Sequence, residues 1–237
     1  PDQLNSFNDA MGREMQWAGE TVRDTDDIHA VVLQANGERA FCTGVDIKEG
    51  ATWFHSDNVW NTFDPGFTLS PKHHHKVWKP VVAAVHGMCA GGAQYFINEA
   101  DIILCSDDAT FFDPHANGGI VSALEPIGML ARGVPLGDVL RWALMGTEER
   151  ITAETALRLG LVTEVVPRDG LRERARQIAA DIAARPPKPI QGTIRAIWES
   201  LEMTRAMALQ NGMAYTHIGN SYENRPTGRV NRKPTYR

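Results

Sequence analysis

Residues 79–95 read KPVVAAVHGMCAGGAQY. Val81 to Val85 is a wholly apolar, β-branched run introduced by Pro80, as expected for a strand covered on both faces in a parallel sheet. The Gly91-Gly92 pair that follows lets another group approach the main chain where a helix begins. The wider window from Pro80 to Ile97 also carries the Gly87-x-x-x-Gly91 spacing of membrane helix pairs. A membrane span is rejected, because His86 and Gln94 lie inside that window and the glycines divide it into a short strand and a helix start.

Two runs of the same kind flank it. Ala30–Ala35 (AVVLQA) is closed by Gly37, and Ile102–Cys105 (IILC) lies on the other side, with helical or glycine-rich material between the three. This alternation predicts an α/β fold with right-handed crossovers and ligand chemistry at the carboxyl ends of strands. Before the first strand, Leu4, Phe7, Met11, Met15, Ala18 and Val22 mark an amphipathic helix ending near Asp24.

Past about residue 136 the pattern becomes helical. Gly146 and Gly160 read as helix ends, Thr152 and Asp169 as N-caps, and Leu161–Val166 as a short strand stopped by Pro167. Arg185–Pro189 reads as a linker, and Ile190–Ala208 as a helix with Ile194, Ile197, Trp198, Leu201 and Met207 at helical spacing. The expected division is a core over 1–136 and a helical region with a polar, basic tail over 137–237. The first residue is not Met, so a leading strand before Pro1 is expected.

With 43% apolar and 22% charged residues, disordered, collagenous and coiled-coil chains are excluded. A net charge of −5 without any block of Lys or Arg argues against nucleic acid or an anionic membrane as partner. Residues 1–10 have neither the basic nor the apolar stretch of a secretory signal. Three cysteines, Cys42, Cys89 and Cys105, form no CxxC pair and leave one over, so a reducing, cytoplasmic setting is expected. His73-His74-His75 has no HExxH or cysteine partner and adjacent side chains diverge, so no metal site is expected.

Two loops remain as candidates for chemistry. Arg39–Gly50 (RAFCTGVDIKEG) turns at Gly44 and places Asp46 to cap the turn that follows, and His86–Tyr95 contains the Gly-Gly pair. Each alone is equally a tight turn made for packing. Together they offer two backbone N–H groups that can converge on one oxygen, the requirement for holding an oxyanion or a thioester enolate.

With PDQLNSF, KPVVAAVHGMCAGGAQ, ADIILCSDDATF, ITAETALRLGLVTEVVP and the closing RKPTY, these loops resemble the crotonase, or enoyl-CoA hydratase/isomerase, superfamily over nearly the whole chain. The resemblance implies an α/β spiral of ββα turns and a C-terminal helical region that mediates homotrimers, often paired into homohexamers. It implies an acyl-CoA thioester as ligand, with coenzyme A entering as part of the substrate and no separate cofactor. By position, the oxyanion-hole N–H groups fall on Val45 and Gly92. Gly91 and Val45, Asp46, Ile47 and Lys48 line the bound thioester, and Gln3 and Leu4 lie near the adenine end. Val45 replaces the small residue usual there and should narrow the acyl pocket.

Hydratases of this superfamily hold and activate a water with two glutamates. The matching positions here are Tyr95 and His115, the latter in FDPH. A His with an ordinary pKa of about 6.5 accepts a proton near neutrality, whereas a Tyr near 10 is a donor. Taken without the resemblance, His115 reads as a polar loop residue and Tyr95 as a packed aromatic. Glu125 lies where some isomerases of the family carry a further carboxylate, and Asp113 either orients His115 or makes a turn. The dense aromatics Trp53, Phe54, Trp60, Phe63 and Phe67 suit a bulky acyl group or ordinary packing. The expected activity is hydration or isomerisation of an acyl-CoA, with decarboxylation, C–C hydrolysis or a catalytically silent acyl-CoA-binding trimer as alternatives.

Overall fold

In the computed structural model, residues 1–49, 64 and 66–218 are described. Among the described residues, eight strands form two sheets: β1 (Val31–Gln34), β2 (Ala40–Cys42), β3 (Val81–Val85), β4 (Met88–Ala90), β5 (Ile102–Ser106), β6 (Thr110–Phe112), β7 (Ile151–Thr152) and β8 (Glu164–Val166). One sheet has the order β1-β3-β5-β8, all parallel; the other has β2-β4-β6-β7, parallel except for β7. Each turn of the chain thus adds one strand to each sheet, which is the ββα spiral expected from the resemblance.

The first sheet shows why its strands read as continuous apolar runs. Val82, Ala84 and Leu104 face a helix, α7 (Leu171–Ala183), that presents Leu171, Ala175 and Ala179. Val81, Ala83, Val85, Ile103 and Cys105 point the other way, into the main core. With both faces covered there is no polar side to alternate with. β3 occupies the predicted residues, β5 extends one further to Ser106, and β1 is trimmed by one residue at each end. The second sheet went unread strand by strand. β2, β4 and β6 have three residues each, too few to display a period, and the turn from β3 to β4 is made by Gly87 at φ +56°.

The helices are α1 (Asp9–Asp24), α2 (Gly66–Leu69), α3 (Gln94–Ile97), α4 (Leu124–Ala131), α5 (Leu136–Met145), α6 (Ala153–Leu159), α7 (Leu171–Ala183), α8 (Pro187–Ser200) and α9 (Arg205–Tyr215). α1 starts later than its apolar spacing suggested. Leu4 and Asn5 adopt left-handed φ of 57° and 55°, and the Asn8 side chain accepts from the Met11 N–H as N-cap. Thr152 caps α6 as expected, whereas Asp169 does not cap α7, which begins two residues later behind Gly170. The segment 161–166 is extended as a strand only over Glu164–Val166, and α8 begins inside the expected linker at Pro187. The long helix expected over 190–208 is two, α8 and α9, with Thr204 capping the second.

The chain divides into compact units over Pro1–Pro187 and Lys188–Arg237. The expected boundary at 136 is therefore moved. Trp142, Ala143, Ala153, Ala156, Leu159, Leu161 and Val162 complete the main core, and α7 covers the first sheet, so residues 137–187 cannot be separated from it. Within the second unit, Glu199 on α8 accepts from Arg195, Asn211 and the Tyr215 hydroxyl, the last at 2.6 Å.

The turn before β3 is locked by buried charge. Lys72 Nζ donates to Val77 O, Lys79 O and Asp101 Oδ2, at 2.8, 3.0 and 2.7 Å, so all three of its protons are used. His75 is buried beside Gly19, where an added Cβ would lie 2.8 Å from the imidazole, and its Nε2 bonds the Thr68 carbonyl. His73 and His74 stack edge to face, and among the described residues no group of three or more His, Cys, Asp or Glu side chains is placed to hold a metal ion. All three cysteines are buried thiols, on β2, β4 and β5.

Candidate active site

Two strand-end loops of the second sheet meet beside Phe7. Phe7 and Val45 form an isolated parallel bridge, in which Phe7 N–H donates to Gly44 O and Asp46 N–H to Phe7 O, both at 2.8 Å. Val45 N–H is turned away from this bridge. Gly44, at φ +86°, brings the loop so close to the next one that an added Cβ would lie 3.2 Å from Gly92 N. Gly92 is equally constrained, since its own Cβ would meet Phe7 Cζ at 2.7 Å. The N–H groups of Val45 and Gly92 find no acceptor among the described residues, and Gly92 begins a 3-10 turn, Gly91–Ala93, that leads into α3. Two free donors on loops in contact suit a single anionic oxygen.

The remaining expected binding residues surround the first loop. Asp46 Oδ1 accepts from the N–H groups of Lys48 and Glu49 at 2.9 and 3.2 Å, and these bonds hold its carboxyl below the usual range. Ile47 is 93% exposed, an apolar side chain left at the rim. Gln3 and Leu4 lie in the N-terminal turn, where the Leu4 carbonyl accepts from Thr43 and Asn5 Nδ2 pins the turn to Asn36 O and Ala40 O. Trp53, Phe54, Trp60, Phe63 and the Phe67 side chain lie outside the described residues.

The proton-transfer candidates converge on the second loop. His115 follows β6, and its ring packs over Gly91, whose added Cβ would lie 3.5 Å from His115 Cε1. The ring Nδ1–H donates to Asp113 Oδ1, and the His115 backbone N–H donates to the same oxygen at 3.2 Å. Asp113 is fully buried, and its carboxylate holds the His115 ring by this contact. On the other side of the ring, Nε2 stands 3.8 Å from Glu125 Oε1. The bond to Asp113 raises the His115 pKa, against the lowering effect of burial, and Glu125 adds to the rise. Burial raises the pKa of Glu125, and burial followed by the Glu125 charge raises that of Tyr95, which keeps the phenol protonated. Tyr95 sits in α3, held from outside by Ser70 Oγ, which donates to its carbonyl at 2.9 Å.

Asp113, His115, Glu125 and Tyr95 are therefore one interacting group beside the two N–H donors, an imidazole bonded to one carboxylate and facing a second. Sequence reasoning missed Asn98, whose amide bonds the Glu125 carbonyl; an asparagine at the end of a short helix has no motif to announce it.

The family described as Enoyl-CoA hydratase/isomerase matches residues 1–229. The chain is 31% identical over 218 residues to (E)-benzylidenesuccinyl-CoA hydratase of Thauera aromatica, covering 92% of this chain and 82% of that protein. It is 38% identical over 173 residues to (7aS)-7a-methyl-1,5-dioxo-2,3,5,6,7,7a-hexahydro-1H-indene-carboxyl-CoA hydrolase of Rhodococcus jostii, covering 72% of this chain and 64% of that one. Carnitinyl-CoA dehydratase of Citrobacter koseri is 31% identical over 197 residues, 83% of this chain and 72% of its own. Among solved structures, an enoyl-CoA hydratase/isomerase from Mycobacterium paratuberculosis superposes with a TM-score of 0.82 at 32% identity, over 91% of this chain and 82% of that one.

Proposed function

Because the chain belongs to the enoyl-CoA hydratase/isomerase family, we propose that it is an acyl-CoA enzyme whose site stabilises a thioester enolate and moves protons with His115 in place of a glutamate. The observation that carries this is the Asp113–His115–Glu125 chain standing over Gly91, next to the unpartnered N–H groups of Val45 and Gly92. The thioester oxygen is taken between those two donors, which favours charge there more in the transition state than in the bound substrate. His115 Nε2 accepts the proton and gives it back, Asp113 holds the ring and offsets the imidazolium charge, and Glu125, bonded to the Tyr95 hydroxyl, stands as a second carboxylate beside the ring. Gln3, Leu4, Val45, Asp46, Ile47, Lys48 and Gly91 line the path of the coenzyme A thioester, with no separate cofactor.

The 3.8 Å between His115 Nε2 and Glu125 Oε1 accommodates one water bonded to both, so reactions that add, remove or split with water are favoured over pure isomerisation. The hydratase, the dehydratase and the hydrolase among its relatives support that preference. The protein works as a homotrimer or homohexamer, supported by an apolar face in which Leu124, Ile127, Leu136, Leu140 and Leu144 of α4 and α5 are exposed. Three buried, unpaired thiols suit the reducing cytoplasm, and among the described residues no helix is long and apolar enough to cross a membrane.

The test is mass spectrometry of 2-enoyl-, β-keto- and malonyl-type CoA thioesters incubated with the protein in D₂O. Deuterium at the α-carbon, added water, lost CO₂ or chain cleavage identifies the enolate enzyme and its branch. Thioesters that bind and return unchanged, equally in wild type and His115→Ala, sink the reading.

A further inference from the structure

We propose that Asn98 is a positioning residue for proton transfer: it clasps α4 to α3 and thereby sets Glu125 beside Tyr95 and His115. The inference rests on the reading of Glu125 and His115 given above.

α4 has little of its own to fix where it begins. It is eight residues long, below the length at which a helix is stable alone, and its N-cap, Ala123, has no side-chain oxygen to take up the free N–H groups of the first turn. The register is supplied from outside. Asn98 ends α3, its N–H donating to Gln94 O at 2.8 Å, and its buried Nδ2 donates to the main-chain carbonyl of Glu125 at 2.9 Å. At the other end of α4, Arg132 Nη1 donates to the carbonyls of Asn98 and Ala100 at 3.0 and 2.8 Å. Both ends of the helix that carries Glu125 are thus tied to the three residues that follow the helix carrying Tyr95.

Gly128 is what lets the two elements come this close. A Cβ there would lie 2.2 Å from Asn98 Nδ2. A glycine inside a helix costs about 0.5–1 kcal/mol relative to alanine, and the three atoms nearest to its added Cβ all belong to Asn98. Local helix propensity has been given up at the one position where the amide passes. The other end of the Asn98 amide, Oδ1, has no partner among the described residues, so the side chain is committed to Glu125 alone.

The consequence is geometric. Displacing α4 by about 1 Å moves Glu125 away from both the ring and the phenol, and errors of that size cost about 10²-fold in turnover. The groups facing His115 are Asp113 from the end of β6 and Glu125 from α4, with Tyr95 of α3 facing Glu125 in turn.

The test uses Asn98→Leu, which keeps the volume and removes the donor, and Gly128→Ala, which forces the same contact apart. Ile103→Val in β5 serves as a control that loosens the core away from the site. The readout is the NMR titration of the His115 ring, identified by its loss in His115→Gln, with Glu125→Gln as the reference lesion. The expected result is that Asn98→Leu and Gly128→Ala both lower the His115 pKa towards that of Glu125→Gln, while Ile103→Val leaves it in place. The turnover number then falls about tenfold or more in both, with KM held. A wild-type titration in Asn98→Leu, alongside a lowered one in Glu125→Gln, overturns the role of Asn98 and leaves the site intact. A wild-type titration and turnover in Glu125→Gln overturns the proposal together with its premise.

Discussion

His115 is useful as a base only while neutral, and Asp113 makes it a stronger base by favouring the imidazolium. The activity of the wild type should therefore rise with pH through a value above the ordinary 6.5. Asp113→Asn removes the largest cause of that rise and should shift the acid limb of the kcat/KM profile to lower pH, together with a reduced plateau. The same raised pKa links the contact to folding: its stabilisation is complete below the unfolded-state value and is lost as pH rises through the folded-state value. The melting-temperature gap between wild type and His115→Gln should accordingly be wider at pH 5.5 than at pH 9. His115→Gln itself should reduce turnover by about 10²-fold or more while coenzyme A affinity is nearly unchanged. A wild-type rate in that variant would end the assignment. None of these roles was legible from residue chemistry alone. FDPH reads as a turn, and it was the resemblance that placed His115 and Tyr95 in the site; the burial of Asp113 behind the ring became visible only when the chain was folded.

At the scale of elements, legibility followed burial. β3 could be read to its last residue because both its faces are covered, and the cap of α6 because Thr152 supplies an oxygen to the Thr155 N–H. Thr152→Ala should destabilise the protein by about 1 kcal/mol in urea, with activity per folded molecule unchanged. The three-residue strands of the second sheet had no period to show, yet their ends carry the two N–H donors. Gly44 joins those ends. In Gly44→Ala the methyl group would press on Gly92 N and would have to accept φ +86°, so the loop must shift. That variant should lose turnover far beyond its loss of stability, as measured by comparing kcat with the urea midpoint. Wild-type turnover would show that the contact between the loops is not part of the site.

For the whole molecule, the expected boundary at 136 failed because composition changes there while packing does not: α5, α6 and α7 are helical in sequence pattern but their apolar sides complete the cores of the strands before them. The opposite sides of α4 and α5 are also apolar, which no rule of amphipathic patterning requires of a lone chain. Leu140 and Leu144 lie one turn apart on that face, 48% and 72% exposed. Leu140→Glu with Leu144→Glu should shift sedimentation towards the single chain while far-UV circular dichroism is retained; an unchanged sedimentation coefficient would remove this face from the assembly.

The three thiols of β2, β4 and β5 have a practical consequence. Burial raises the pKa of Cys42 and of Cys105 to about 12 and that of Cys89 as well, so almost no thiolate exists in the native state at neutral pH. A soluble alkylating reagent can reach them only when the spiral opens. Quenched labelling over hours, resolved peptide by peptide, would then act as a clock of opening events. Equal labelling rates at Cys42, Cys89 and Cys105 would mean that the turns unwind as one cooperative body, and a faster Cys42 would mean that the spiral frays from its first turn.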